Sequence, residues 1–198
     1  SATAVIPSLA VEWALDDTDK AWLTMSVQIG FVVGTFLSAF FNLPDILNAR
    51  YLFAACAILG ALFNGVIGVG VDDPQTTFFL RFFTGVCLAG VYPPGMKIMA
   101  TWFKKGRGMA IGMLVGALTL GSASPHLFKV VGTPDWRDLM LIASACSVVA
   151  GLICLLFVKD GPHQVGGARF DWHFIGRAWS NPAVRLANFG YLGHQWEL

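Results

Sequence analysis

Charged residues punctuate this chain, and long apolar stretches run between them. No Asp, Glu, Lys or Arg occurs between Lys20 and Asp45, between Arg50 and Asp72, between Arg107 and Lys129, or between Asp138 and Lys159. Each interval holds 20 or more residues, enough at ~1.5 Å per residue to cross about 30 Å of hydrocarbon as a helix. The pattern predicts helices over about 22–42, 51–71, 108–130 and 138–158. A further helix is expected over about 76–102, apolar except for Arg81 and Lys97, with a kink at "VYPPGM" where Pro94 breaks the backbone ladder. Residues 1–13 read as the end of a preceding helix and 184–198 as the start of a following one.

Composition agrees with lipid as the solvent. Of the 198 residues, 56% are hydrophobic and 13% charged, about half the usual charged share. The mean hydropathy is +0.64. A formal net charge of +1 gives no reason to expect a nucleic-acid partner. The cysteines Cys56, Cys87, Cys146 and Cys154 have no metal or redox spacing and read as small packing residues. The start "SATAVIPSLAVEW" and the stop "GHQWEL" read as cuts inside two membrane helices.

Basic residues set the expected orientation. Arg50, Lys104, Lys105, Arg107, Lys159, Arg169, Arg177 and Arg185 fall on one side, against Lys20, Lys129 and Arg137 on the other. The first group is expected in the cytoplasm. Residues 159–183 are polar and longer than a tight turn, and read as a cytoplasmic linker carrying an interfacial piece, "FDWHFIGRAW". The organisation expected is a bundle over 1–158, a linker over 159–183 and the first part of a further helix over 184–198.

Enzyme signatures are missing. "GVIGVGVDD" lacks a third glycine opening a helix, and the chain has no nucleophile elbow, zinc-binding helix motif or phosphate loop. His163 and His173 have no ligand geometry. No catalytic residue, metal or cofactor is expected.

Arg81, in "FFLRFFTGV", has two readings. It snorkels to a nearby interface, or it is buried against a neighbouring helix or the bundle's central cavity. Lys97 reads as a snorkelling residue and a weaker site. Gln28, Asn64 and Tyr92 are polar candidates for a solute contact, though such side chains more often serve helix–helix hydrogen bonds. Glu197 falls near mid-membrane if its helix starts at Leu186, with His194 one turn earlier on the same face. A carboxylate at that depth is costly to ionise without a partner, which suits it to carry a proton. Gly85 and Gly90, and the stripe Gly108, Gly112 and Gly116, read as surfaces for close helix packing or sliding.

Arg81, Gly85 and Gly90, then Trp102, Phe103, Arg107, Gly108, Ala110 and Gly112, resemble the fourth and fifth helices of a Major Facilitator Superfamily (MFS) transporter. The resemblance implies an all-α membrane protein, here the six-helix amino-terminal bundle of a twelve-helix fold. It implies secondary active transport of a small solute by alternating access in an inner or plasma membrane. It favours a cavity or bridging role for Arg81. That arginine points weakly to an anionic solute, and Glu197 to proton coupling. A receptor or scaffold that binds solute without flux stays open, as does a membrane-embedded enzyme. The family's loop between helices two and three is reduced here to "FNLPDILNARY". Asp45 and Arg50 match its aspartate and last basic residue, whereas Ile46, Asn48 and Ala49 depart from it. Asp45, Arg50 and Arg107 are therefore the gating candidates, with a reduced set of partners for Asp45.

Overall fold

The computed structural model describes residues 2–103, 105–131, 135–163 and 180–197, with side chains at those positions except 2–4, 7, 125–131 and 191–197. The described residues contain helices and no strand. The helices are α1 (Ala2–Glu12), α2 (Asp17–Phe40), α3 (Leu43–Ile46), α4 (Ala49–Gly70), α5 (Pro74–Ala89), α6 (Tyr92–Trp102), α7 (Arg107–Val131), α8 (Trp136–Phe157) and α9 (Pro182–Glu197). The chain divides into two compact units, residues 1–167 and 168–198. The second contains α9; the first is described below.

The acidic residues between the apolar stretches start the helices. Asp16 accepts from the backbone N–H of Asp19 at 2.7 Å, and Asp73 from that of Thr76 at 2.9 Å. Asp135 accepts from the N–H of Arg137 at 3.2 Å. Each satisfies one of the donors that the first helical turn leaves free, and puts negative charge at the positive end of the helix dipole. These three aspartates are the N-caps of α2, α5 and α8.

The helix expected over 76–102 is two helices. Pro93 and Pro94 supply no backbone donor, and the N–H groups of Gly90 and Val91 turn back instead to Cys87 O (2.9 Å) and Leu88 O (3.1 Å). α5 ends there and α6 begins at Tyr92.

Glycines bring α2 and α5 into backbone contact. A methyl group added at Gly85 would meet the carbonyl of Val27 and lie 2.9 Å from Phe31 N. One added at Gly30 would meet the carbonyl of Phe82, and one at Gly34 would lie 2.8 Å from Val86 O. Gly90 sits against the side chain of Cys56 of α4. α4 and α8 form the second close pair, where a methyl at Gly151 would lie 3.3 Å from Ala54 O. Val5, Leu9, Leu23, Ile67, Trp136 and Met140 build the buried core near the Asp72 end.

Outside that core, large apolar side chains are exposed along the long helices, among them Phe36 at 70% and Phe157 at 76%. In water such a surface would be an association hazard; in hydrocarbon it costs nothing. α2, α4 and α8 are each long and apolar enough to cross a membrane.

The glycine stripe of α7 meets no other helix among the described residues. Methyl groups added at Gly108, Gly112 and Gly116 would meet nothing within 4 Å. α7 packs mainly on α6, and Ala110 is its buried residue near that end. The face carrying the stripe is open among the described residues.

Candidate functional site

Arg81 is 4% exposed, which rules out snorkelling in this structure. It sits half-way along α5, and its Nη2 reaches the sulfur of Met140 on α8 at 3.8 Å, a weak acceptor. Its Nε is buried and has no partner. Among the described residues no carboxylate pairs with it.

Beside this guanidinium lies a cavity of about 350 Å³. α4 contributes Cys56, Ala57, Gly60, Ala61 and Asn64, and α8 contributes Ala143, Ser144 and Ser147. Thr84 and Leu88 of α5, with Val27 of α2, complete most of the wall. Asn64 Nδ2 donates across the helix pair to Ser144 Oγ (2.9 Å) and Met140 O (3.1 Å). Ser147 Oγ donates to Ala57 O at 3.0 Å. The hydroxyls of Ser144 and Thr84 donate to carbonyls of their own helices, Met140 O (2.9 Å) and Leu80 O (2.8 Å). The wall is thus a mostly apolar surface with hydroxyl and amide groups already engaged, and one cation whose Nε is unpartnered and whose Nη2 has only a weak sulfur acceptor. A cavity of this volume suits a small solute, and its free donors suit an anion.

The other candidates lie elsewhere. Gln28 is exposed on α2, away from the cavity wall. Tyr92 opens α6, next to the wall residue Val91. His194 and Glu197 lie in α9, but their side chains fall outside the described residues. So does the expected interfacial piece at 170–179. Ser144 and Ser147 escaped sequence reading. The available signal was their spacing from Met140, which puts all three on one face of α8.

At the Asp45 end, Lys97 is bound rather than free. Its Nζ lies 2.6 Å from Asp45 Oδ1 and 2.5 Å from Pro44 O. Lys97 thus serves Asp45 where the loop's own basic residues are lacking. Arg50 is engaged differently, with Nη1 donating to Val158 O at 3.1 Å and Nη2 to Tyr51 Oη at 2.8 Å. Arg107 Nε donates to Phe103 O at 2.7 Å. The chain leaving α8 is held here too, by Trp102 Nε1 donating to Lys159 O (3.0 Å) and Asn48 Nδ2 to Asp160 Oδ2 (2.6 Å).

Long apolar helices with lipid-compatible faces, packed through glycines around a buried arginine, define a polytopic helical membrane protein. A sequence model of the Major Facilitator Superfamily matches residues 1–194, and the chain belongs to that family. The puromycin resistance protein pur8 of Streptomyces alboniger is 28% identical over 160 residues, covering 78% of this chain and 31% of that protein. A protein of Agrobacterium vitis named "Putative tartrate transporter" is 30% identical over 170 residues, covering 73% of this chain and 37% of its own length. The MFS transporter prlL of a fungal species (strain NRRL 50135) is 28% identical over 115 residues, covering 54% and 23%. The chain spans about a third of the length of the first two of these relatives. No solved structure matches significantly.

Proposed function

We propose that the chain forms the amino-terminal part of a secondary transporter that moves a small organic anion across a membrane by alternating access. The observation that carries this reading is Arg81: a buried guanidinium with an unpartnered Nε, at the edge of a cavity. An uncompensated buried cation is costly, and a carboxylate arriving in the cavity offsets that cost with paired, charge-assisted hydrogen bonds. The name of the tartrate relative from Agrobacterium vitis is in keeping with a carboxylate-bearing solute. The reading includes proton coupling at Glu197, with His194 one turn away, and gating by Asp45 with Arg50 and Arg107.

The test is counterflow in proteoliposomes with the full-length protein. Arg81→Ala should abolish exchange of small organic anions. Arg81→Lys, which keeps the charge and loses the planar fork of donors, should retain a fraction of it. Full counterflow by Arg81→Ala at normal protein level defeats the reading. Glu197→Gln should stop accumulation driven by a pH gradient and spare counterflow, which needs no net proton movement.

A further inference from the structure

Arg81 reaches across to α8, and the atom it meets there is sulfur. Its Nη2 lies 3.8 Å from Met140 Sδ, while its Nε is buried without a partner. Met140 is 3% exposed and is held in place from two helices. Asn64 Nδ2 of α4 donates to its carbonyl at 3.1 Å, and the hydroxyl of Ser144 donates to the same oxygen at 2.9 Å. A methyl added at Gly68, one turn along α4 from Asn64, would lie 3.2 Å from Met140 Cβ. The backbone of Met140 is therefore pinned by two donors, and its side chain is closed in by packing. One turn further along α8, Ala143 and Ser144 belong to the cavity wall beside Arg81.

We infer that Met140 sets the charge preference of the Arg81 cavity. A thioether is a weak acceptor. It orients the guanidinium without neutralising it, and it gives up its bond at little cost when a stronger acceptor arrives. A carboxylate at the same place would form a paired, charge-assisted contact with Arg81 and occupy its donors from inside the protein. A buried cation compensated in that way has no need of an anion from the cavity. Met140 is thus a positioning residue, acting on the solute through Arg81. The inference rests on the reading that the Arg81 cavity receives an anion, and adds which residue keeps the site able to take one.

The experiment uses the full-length protein in proteoliposomes and counterflow of labelled acetate, lactate, malonate, succinate and benzoate. Met140→Glu and Met140→Gln share one shape, close to Met in length, and differ in charge. Met140→Glu should raise the half-saturation concentration about tenfold or more above that of Met140→Gln, the weight of one charge-assisted hydrogen bond. Met140→Leu loses only the weak acceptor and should stay within about threefold of wild type. The melting temperature of Met140→Glu in detergent should equal or exceed that of Met140→Gln, which separates an occupied guanidinium from a damaged fold. Arg81→Met combined with Met140→Arg returns the cation from the opposite helix, and should recover part of the counterflow that Arg81→Met loses. Where Met140→Glu melts lower than Met140→Gln, that exchange decides, and no recovery overturns the inference. Equal half-saturation for Met140→Glu and Met140→Gln, with counterflow still lost in Arg81→Ala, overturns it and leaves the cavity reading intact. Counterflow that persists in Arg81→Ala, or is absent for every anion in wild type, defeats both.

Discussion

Lys97 Nζ and Asp45 Oδ1 stand 2.6 Å apart, joining α6 to the short helix α3. Both side chains are about a third exposed (32% and 31%), so water and salt screen the pair. Its coupling in a double-mutant cycle of Lys97→Met and Asp45→Asn should be about 0.5–1 kcal/mol by thermal unfolding in detergent. The exchange Asp45→Lys with Lys97→Asp should recover part of the stability that either single charge reversal loses. A coupling of zero would mean the contact contributes nothing.

Glycine positions that look alike in the sequence separate in their cost. At Gly85 an added methyl meets backbone atoms of Val27 and Phe31, which no rotamer change can move aside. Gly85→Ala should therefore destabilise the bundle by about 1–3 kcal/mol. Gly112→Ala meets nothing within 4 Å, and alanine is the better helix former, so it should be neutral or slightly stabilising. Matching unfolding curves for the two variants would contradict the close approach of α2 and α5.

The contrast shows what the chain's pattern could and could not reveal. The long helices were legible because charge-free stretches of membrane length allow little else: the expected 51–71 became α4, Ala49–Gly70. The break at Gly90 was legible only as a kink, since pattern alone does not say whether neighbours restore the ladder after Pro93 and Pro94. The burial of Arg81 was left open, because spacing along one helix does not say which helix lies opposite. The partner of Lys97 was not legible for the same reason: Asp45 is 52 residues away in sequence. The wall formed by Asn64, Ser144 and Ser147 depends on the register of α4 against α8, which no local signal carries.

Asp73 caps α5, and its carboxylate accepts from the N–H and the hydroxyl of Thr76 at 2.9 and 2.8 Å. The backbone bond, followed by the hydroxyl bond, holds this carboxyl below its ordinary range. A folded value below the unfolded one means that the unfolded chain binds the proton more tightly. The cap's contribution is therefore complete above the unfolded value of ~3.9 and is lost as pH falls through the lower folded value. Asp73→Asn keeps an acceptor and loses the titration. The melting temperature of that variant should fall less steeply than wild type between about pH 5 and pH 2. Parallel curves would show that Asp73 adds nothing to the acid sensitivity.

Arg137 gathers three elements at the Asp72 end. Its Nη2 donates to Glu12 Oε1 at the end of α1 (3.0 Å) and to Asp72 Oδ1 in the turn before α5 (2.8 Å). Its guanidinium lies 4.6 Å from the ring centroid of Trp136, and Trp136 Nε1 donates to the other oxygen of Glu12 at 2.5 Å. Asp72 is 72% exposed and Glu12 44%, so water and salt screen both ion pairs. Glu12 differs from Asp72 because it also accepts from the buried indole of Trp136. Removing it leaves that donor less well satisfied, a cost that salt does not screen. Glu12→Ala should therefore destabilise more than Asp72→Ala, and its effect should persist in 1 M salt, where the Asp72→Ala effect fades. Trp136→Phe removes the indole donor and keeps an aromatic ring beneath Arg137. In that background the two carboxylate variants should become nearly equal. If Glu12→Ala remains the costlier change there, its weight comes from the packing of α1 and not from the bond to Trp136.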